Sequence, residues 1–247
     1  MDPYIAFSPG KEHPGKVLHS KTSKLAAPNK ISREEFDALV SPRCNPLGFA
    51  SAVQLDAVAL ARKAHMEGEA CIVGDATGLG KGSIAITIAA NTFELDSPNV
   101  RGRLAIYITV KSVLDSVKRD VDAVGLKAQV IDVGGSQFPK NWDRSRDTVL
   151  FVPYTWINRT PASTASAGGV QSHQEFIEQC IAEAPNAKVV PVLCDECHHA
   201  KNQKDSKVGA AVMQFLTNTQ DSIRLTFLSA TFASTVDDLR LYAPFIG

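Results

Sequence analysis

Three short stretches carry the residue types that do chemistry. The first is Gly74-Asp75-Ala76-Thr77-Gly78-Leu79-Gly80-Lys81-Gly82-Ser83, which follows an apolar run and leads into a helix-patterned segment. Glycines at 78 and 80 let backbone N–H groups turn inward around an anion. The N-terminus of the following helix adds partial positive charge, and Lys81 adds a full one. This is phosphate-holding chemistry: Thr77, Gly78, Leu79, Gly80, Lys81, Gly82 and Ser83 wrap the oxygens, and Lys81 reaches the β and γ phosphates. Two positions depart from the common spacing Gly-x-x-x-x-Gly-Lys-Ser/Thr. Asp75 stands at the first glycine. Gly82 stands where a Mg²⁺-binding hydroxyl is expected, with Ser83 one residue late. That places Ser83 as a metal-facing candidate out of register.

The second stretch is Val189-Val190-Pro191-Val192-Leu193-Cys194, running into Asp195-Glu196-Cys197-His198-His199. An acid at the C-terminal end of a buried strand faces the ligand crevice of an open α/β sheet. Asp195 is suited to hold Mg²⁺ through water, and Glu196 to polarise an attacking water. Two adjacent buried carboxylates demand a cation or other partners. Two other readings compete. Cys194-x-x-Cys197-His198 matches the covalent haem signature, and Cys194, Cys197 and His198 or His199 are a possible zinc set. Against haem, Met1–Lys11 lacks a secretory pattern and the pair sits on a core strand. Against zinc, no second ligand pair has the usual spacing, and strand alternation turns Cys194 away from Asp195. The third stretch is Ser229-Ala230-Thr231, directly after the apolar run Ile223–Leu228.

These stretches need a scaffold, and the apolar pattern supplies one. Strands are expected at about 70–74, 104–109, 128–133, 148–152, 188–194 and 223–228. Helices are expected at about 33–40, 51–66, 82–93, 112–124, 171–184 and 206–217. Val/Ile/Leu-rich runs separated by helices indicate a parallel sheet covered on both faces, hence a doubly wound α/β domain. Residues 1–30 differ: four prolines, five lysines, only Asp2 and Glu12 as acids, and no apolar period. They read as an extended arm preceding a domain at 31–247. Residues 159–170 are small and polar, a surface loop.

Composition limits the options further. Of 247 residues, 26 are Lys or Arg and 26 are Asp or Glu, so the net charge is zero and the chain is not a polycation held to nucleic acid by bulk charge. With no run near ~18 apolar residues, no membrane span is expected. Five scattered cysteines suit a reducing setting, cytoplasmic or, in a eukaryote, nuclear.

The phosphate loop, Asp-Glu-x-His and Ser-Ala-Thr, in this order and each at a strand end, resemble the first three motifs of superfamily 2 helicases. The nearer resemblance is to the strawberry notch-like helicases. That family carries glycine after the loop lysine, as at Gly82, and Asp-Glu-Cys-His-x-Ala-Lys-Asn, as at Asp195–Asn202. Its His-Pro-Gly-Lys run is matched by His13-Pro14-Gly15-Lys16. Ala76 departs from the family's glycine.

The resemblance implies a RecA-like P-loop NTPase domain that binds ATP and Mg²⁺ and couples hydrolysis to DNA or RNA. It implies that Gln54 reads adenine and that His198, Ser229 and Thr231 couple the site to motion. It also implies that Thr109, Lys111, Ser112 and Tyr154 meet nucleic acid. Such a motor needs a second RecA-like domain, which the 16 residues after Thr231 cannot supply. The expectation is therefore half of a motor, weak in hydrolysis alone. The alternative is a stand-alone nucleotide-dependent switch.

Overall fold

The computed structural model describes residues 32–75, 78–134, 142–157, 172–200, 207–231 and 240–246. The expected arm, with His13–Lys16, and the loop 159–170 lie outside them, as do Ala76, Thr77, Lys201 and Asn202.

Helix α1 (Arg33–Leu39) starts where Ser32 accepts the Glu35 N–H, and buries Phe36 and Leu39. Helix α2 (Ala52–Met66) starts in a capping box: Ser51 accepts from Gln54 N–H while the Gln54 carbonyl accepts from Ser51 N–H. Strand β1 (Cys71–Val73) leads into α3 (Lys81–Asp96), whose first twelve residues other than Gly82 are all buried. Then come β2 (Leu104–Thr109), α4 (Leu114–Val124), β3 (Gln129–Asp132) and β4 (Thr148–Pro153). A single turn, α5 (Tyr154–Ile157), follows β4 directly. Helix α6 (His173–Glu183), β5 (Val190–Asp195), α7 (Lys207–Thr219) and β6 (Ile223–Leu228) follow among the described residues.

The six strands form one parallel sheet in the order β1-β6-β5-β2-β4-β3. Period-two alternation divides its side chains between two cores. Ala105, Tyr107, Val149, Phe151, Leu193 and Leu228 pack towards α2, α3 and α4. Ile106, Ile108, Leu150, Val152, Val192, Cys194, Leu225 and Phe227 pack towards α5, α6 and α7. Fully burying one such side chain stabilises by roughly 1.5–3 kcal/mol, so these two layers fix the strand ends rigidly. Far from those ends, Arg103 grips Asp147 (2.7 Å) and Asn186 pairs with both backbone groups of Leu104 (2.9 and 3.0 Å), pinning the sheet's other edge.

The expected strands and helices are all present; β2 and β6 keep the expected bounds and the others shift by a few residues. Helix α3 runs three residues past the expected end at about 93, because its last turn is held from outside: Arg62 donates to Asp96 at 2.6 Å. Strand β5 begins at Val190 because Val189 N–H turns back to Asn186. The turn α5 was not expected. All five cysteines are buried free thiols.

Candidate active site

The phosphate-loop candidate, Asp195 and Ser229 meet at the carboxyl edge of three adjacent strands, β1, β5 and β6. Ser229 N–H donates to Val73 carbonyl at 3.2 Å, tying the end of β6 to the end of β1. Gly78 and Gly80 hold φ of +92° and +71°, the left-handed region that only glycine adopts without strain. Gly80 is also the N-cap of α3, with no side chain capping the first-turn N–H groups. Lys81, 8% exposed, donates its ammonium to the Asp75 carbonyl at 3.2 Å. Its charge is thus folded over the loop it belongs to. Ser83 donates to Asp120 of α4 at 3.1 Å.

Asp195 is on the face that α3 covers, and Cys194 on the opposite one, as alternation requires. Its Oδ2 accepts from Tyr107 at 3.0 Å, and its carbonyl accepts from Tyr154 at 2.9 Å. Burial raises the Asp195 carboxyl above its ordinary value. Glu196's charge adds to that, while the Tyr107 hydrogen bond and, least, Lys81 oppose it. The Tyr107 phenol is pushed far up, first by burial and then by the Asp195 charge, so it remains a donor. Tyr107 was missed from the sequence. Its signal was available: one phenol within the aliphatic strand Leu-Ala-Ile-Tyr-Ile-Thr must find a polar partner once buried.

Beyond Asp195 the backbone turns sharply. Glu196 has φ +51°, unusual for a residue with a Cβ, and this carries its carboxylate out of the core. His198 Nδ1 sits 3.2 Å from Glu196 Oε2 and 3.0 Å from Ser229 Oγ. Ser229 Oγ in turn accepts from Thr231 N–H at 3.2 Å. Glu196, His198, Ser229 and Thr231 therefore form one hydrogen-bonded chain between the ends of β5 and β6. Cys197 is buried with its thiol 3.2 Å from the Tyr242 hydroxyl. Among the described residues no group of three or more His, Cys, Asp or Glu side chains is placed to hold a metal ion.

The family model for P-loop containing NTP hydrolase pore-1 matches residues 12–244. The chain belongs to that family. Within it, the chain is 29% identical over 237 residues to human Protein strawberry notch homolog 2, and 26% identical over 236 residues to the mouse protein of that name. Each match covers 91% of the chain but 16% of the relative, so the chain spans about a sixth of their length. The Sulfolobus solfataricus SWI2/SNF2 ATPase core in complex with dsDNA matches in structure with a TM-score of 0.51 and 18% identity. That match covers 85% of this chain and 36% of that one. The fold is RecA-like, and the domain is a P-loop NTPase similar in sequence to part of the strawberry notch proteins.

Three residues expected to meet ligands are buried or engaged within the protein. Thr109 is fully buried, and its hydroxyl points into the protein. Tyr154 is 3% exposed and gives its hydroxyl to the Asp195 carbonyl. Neither hydroxyl is exposed: Thr109 ends the doubly covered strand β2, and Tyr154 opens the buried turn α5 directly after β4. Lys111 and Ser112 are exposed, on the turn that opens α4. Gln54 is also engaged differently from the adenine reading. Its carbonyl caps α2, and its amide donates to the carbonyls of Leu79 (3.0 Å) and Gly80 (3.4 Å). A bidentate pairing with adenine requires the amide to leave both. In this arrangement Gln54 braces the phosphate loop from behind.

No described helix is long and apolar enough to cross a membrane.

Proposed function

We propose that residues 31–247 are the ATP-binding half of a superfamily 2 DNA or RNA translocase, preceded by an arm at 1–30. A second RecA-like domain, in the same polypeptide or another, would complete the motor. One observation carries the reading: Lys81, Asp195 with Glu196, and the His198–Ser229 pair lie at the ends of three neighbouring strands. Those strands, β1, β5 and β6, hold one rigid crevice edge.

The chain's own residues divide the work. The loop from Gly78 to Ser83 offers backbone N–H groups to phosphate oxygens, and Gly80 and Gly78 give it the necessary turn. Lys81 leaves the Asp75 carbonyl and meets the β and γ phosphates. Asp195, oriented by Tyr107 at Oδ2 and by Tyr154 at its carbonyl, presents its remaining oxygen to the crevice. Bound Mg²⁺ would supply charge neutralisation between the phosphates, and hard carboxylate oxygens in a desolvated edge are the donors it prefers. Glu196, turned out of the core, holds and polarises the attacking water. A change in Glu196 reaches β6 through His198 and Ser229, which is a short route from hydrolysis to the region after Thr231. Exposed Lys111 and Ser112 offer charge and a hydroxyl to a phosphate backbone. The dsDNA held by the SWI2/SNF2 relative supports nucleic acid as the partner class.

The deciding experiment is Mg·ATP binding by wild type and Lys81→Ala, with thermal melts to verify folding. A charged hydrogen bond of about 1.5–3 kcal/mol predicts at least about tenfold weaker binding in the variant. Equal affinities refute the assignment.

A further inference from the structure

Gly82 lies in the first turn of α3, where phosphate loops of the common spacing carry serine or threonine. The space its side chain would fill is already taken. A Cβ built on Gly82 would overlap Asp120 Oδ2, with Asp120 Cγ at 3.5 Å and the Tyr107 hydroxyl at 3.7 Å. The same Tyr107 hydroxyl donates to Asp195 Oδ2 at 3.0 Å. Asp120 Oδ1 accepts from Ser83 at 3.1 Å. A carboxylate oxygen thus stands beside the place of the absent hydroxyl, and the hydroxyl displaced by one residue holds the carboxylate's other oxygen.

The carrier of this carboxylate is rigid. Helix α4 buries Val117, Val121 and Val124 in the core beneath α3, and Asp120 follows from that face. Asp120 Oδ2 and the Tyr107 hydroxyl, which holds Asp195, both lie close to the position a Gly82 side chain would take. A divalent cation there would offset the desolvation of both carboxylates.

We propose that Asp120 replaces the missing loop hydroxyl as a metal-holding group, sharing Mg²⁺ with Asp195, and that Ser83 is the positioning residue that fixes it. This rests on the nucleotide reading of the same site. It has a consequence that a purely structural Asp120 lacks. A hydroxyl is neutral, whereas Asp120 adds a negative charge beside the phosphates. Nucleotide binding therefore leans on the metal more heavily, and metal-free ATP is repelled.

The test compares the affinity of the full chain for a fluorescent ATP analogue in Mg²⁺ and in EDTA. Mn²⁺ binding in the presence of ATP is followed in parallel by electron paramagnetic resonance. Asp120→Asn keeps the shape and the acceptor for Ser83 but removes the charge. Loss of a metal-holding group costs roughly 10–100-fold in metal affinity, so the Mg²⁺-over-EDTA ratio falls by at least about tenfold. Mn²⁺ binding weakens with it, and metal-free affinity holds or rises. Gly82→Ser combined with Asp120→Ala returns the common neutral hydroxyl, so Mn²⁺ binding with ATP recovers while metal-free ATP stays better bound than in wild type, which decides the matter even if Asp120→Asn folds poorly. An unchanged ratio in a folded Asp120→Asn, an equal loss in both conditions, or no recovery of Mn²⁺ binding in the double variant overturns the proposal for Asp120 alone. A wild-type chain that binds no nucleotide in either condition overturns the nucleotide reading and this proposal together.

Discussion

Tyr107→Phe isolates one hydroxyl at the centre of the site. The ring is buried at 1% exposure and the variant keeps it, so the packing of β2 against α3 is preserved. What is lost is the 3.0 Å hydrogen bond to Asp195 Oδ2. Asp195 is itself 8% exposed, so water replaces that donor poorly. A hydrogen bond to a charged acceptor is worth about 1.5–3 kcal/mol, against about 0.5–1.5 kcal/mol for a neutral pair. For a domain of this size, 2–4 °C per kcal/mol turns the charged value into a melting-point loss of about 3–12 °C at pH 7. The pH dependence has a definite sign. Asp195 is raised in the folded state by burial, and losing the Tyr107 donor raises it further. The penalty is therefore full while Asp195 is ionised and shrinks as falling pH protonates it. Asp195's own contribution to stability runs the opposite way: it is present at low pH and lost as pH rises through the raised value. The assay is guanidinium unfolding in EDTA, without nucleotide, at pH 7 and at lower pH. It is repeated in an Asp195→Asn background, where only the neutral bond remains to be lost. A loss below about 0.5 kcal/mol at pH 7, or one at least as large in the Asp195→Asn background, refutes the account.

Other outcomes follow from neighbouring residues. Gln54→Leu removes a helix cap and the brace behind Leu79 and Gly80, so it costs about 0.5–2 kcal/mol of stability. It also weakens ATP and GTP binding alike; a selective loss of ATP restores the adenine reading. His65, 2% exposed, is lowered from 6.5 to about 4, chiefly by burial, with its Nε2 3.0 Å from the Leu225 carbonyl. The stability it gives as a neutral ring is complete above 6.5 and is lost as pH falls through about 4. The difference amounts to about 3 kcal/mol at 1.36 kcal/mol per unit. His65→Gln should flatten that part of the acid-unfolding curve, and an unchanged curve excludes His65 as its source.

The parallel sheet was legible in the sequence because a strand buried on both faces must be apolar along its whole length. The runs at 104–109, 148–152 and 223–228 announce themselves in this way. The chemical residues were legible where chemistry dictates spacing along the chain: Gly78, Gly80 and Lys81 in one loop, Asp195 and Glu196 at one strand end. The partnerships between strands were not, because strand order is set by crossovers and side-chain direction by register. Only the tertiary structure brings Tyr107 to Asp195 across β2 and β5, turns Tyr154 inward to a carbonyl, and fixes Gln54 on the back of the loop. It also decides the meaning of Gly82. In sequence that glycine is a missing hydroxyl. In the fold it is the space into which α4 delivers Asp120, a residue whose 38-position separation from Gly82 no local pattern records.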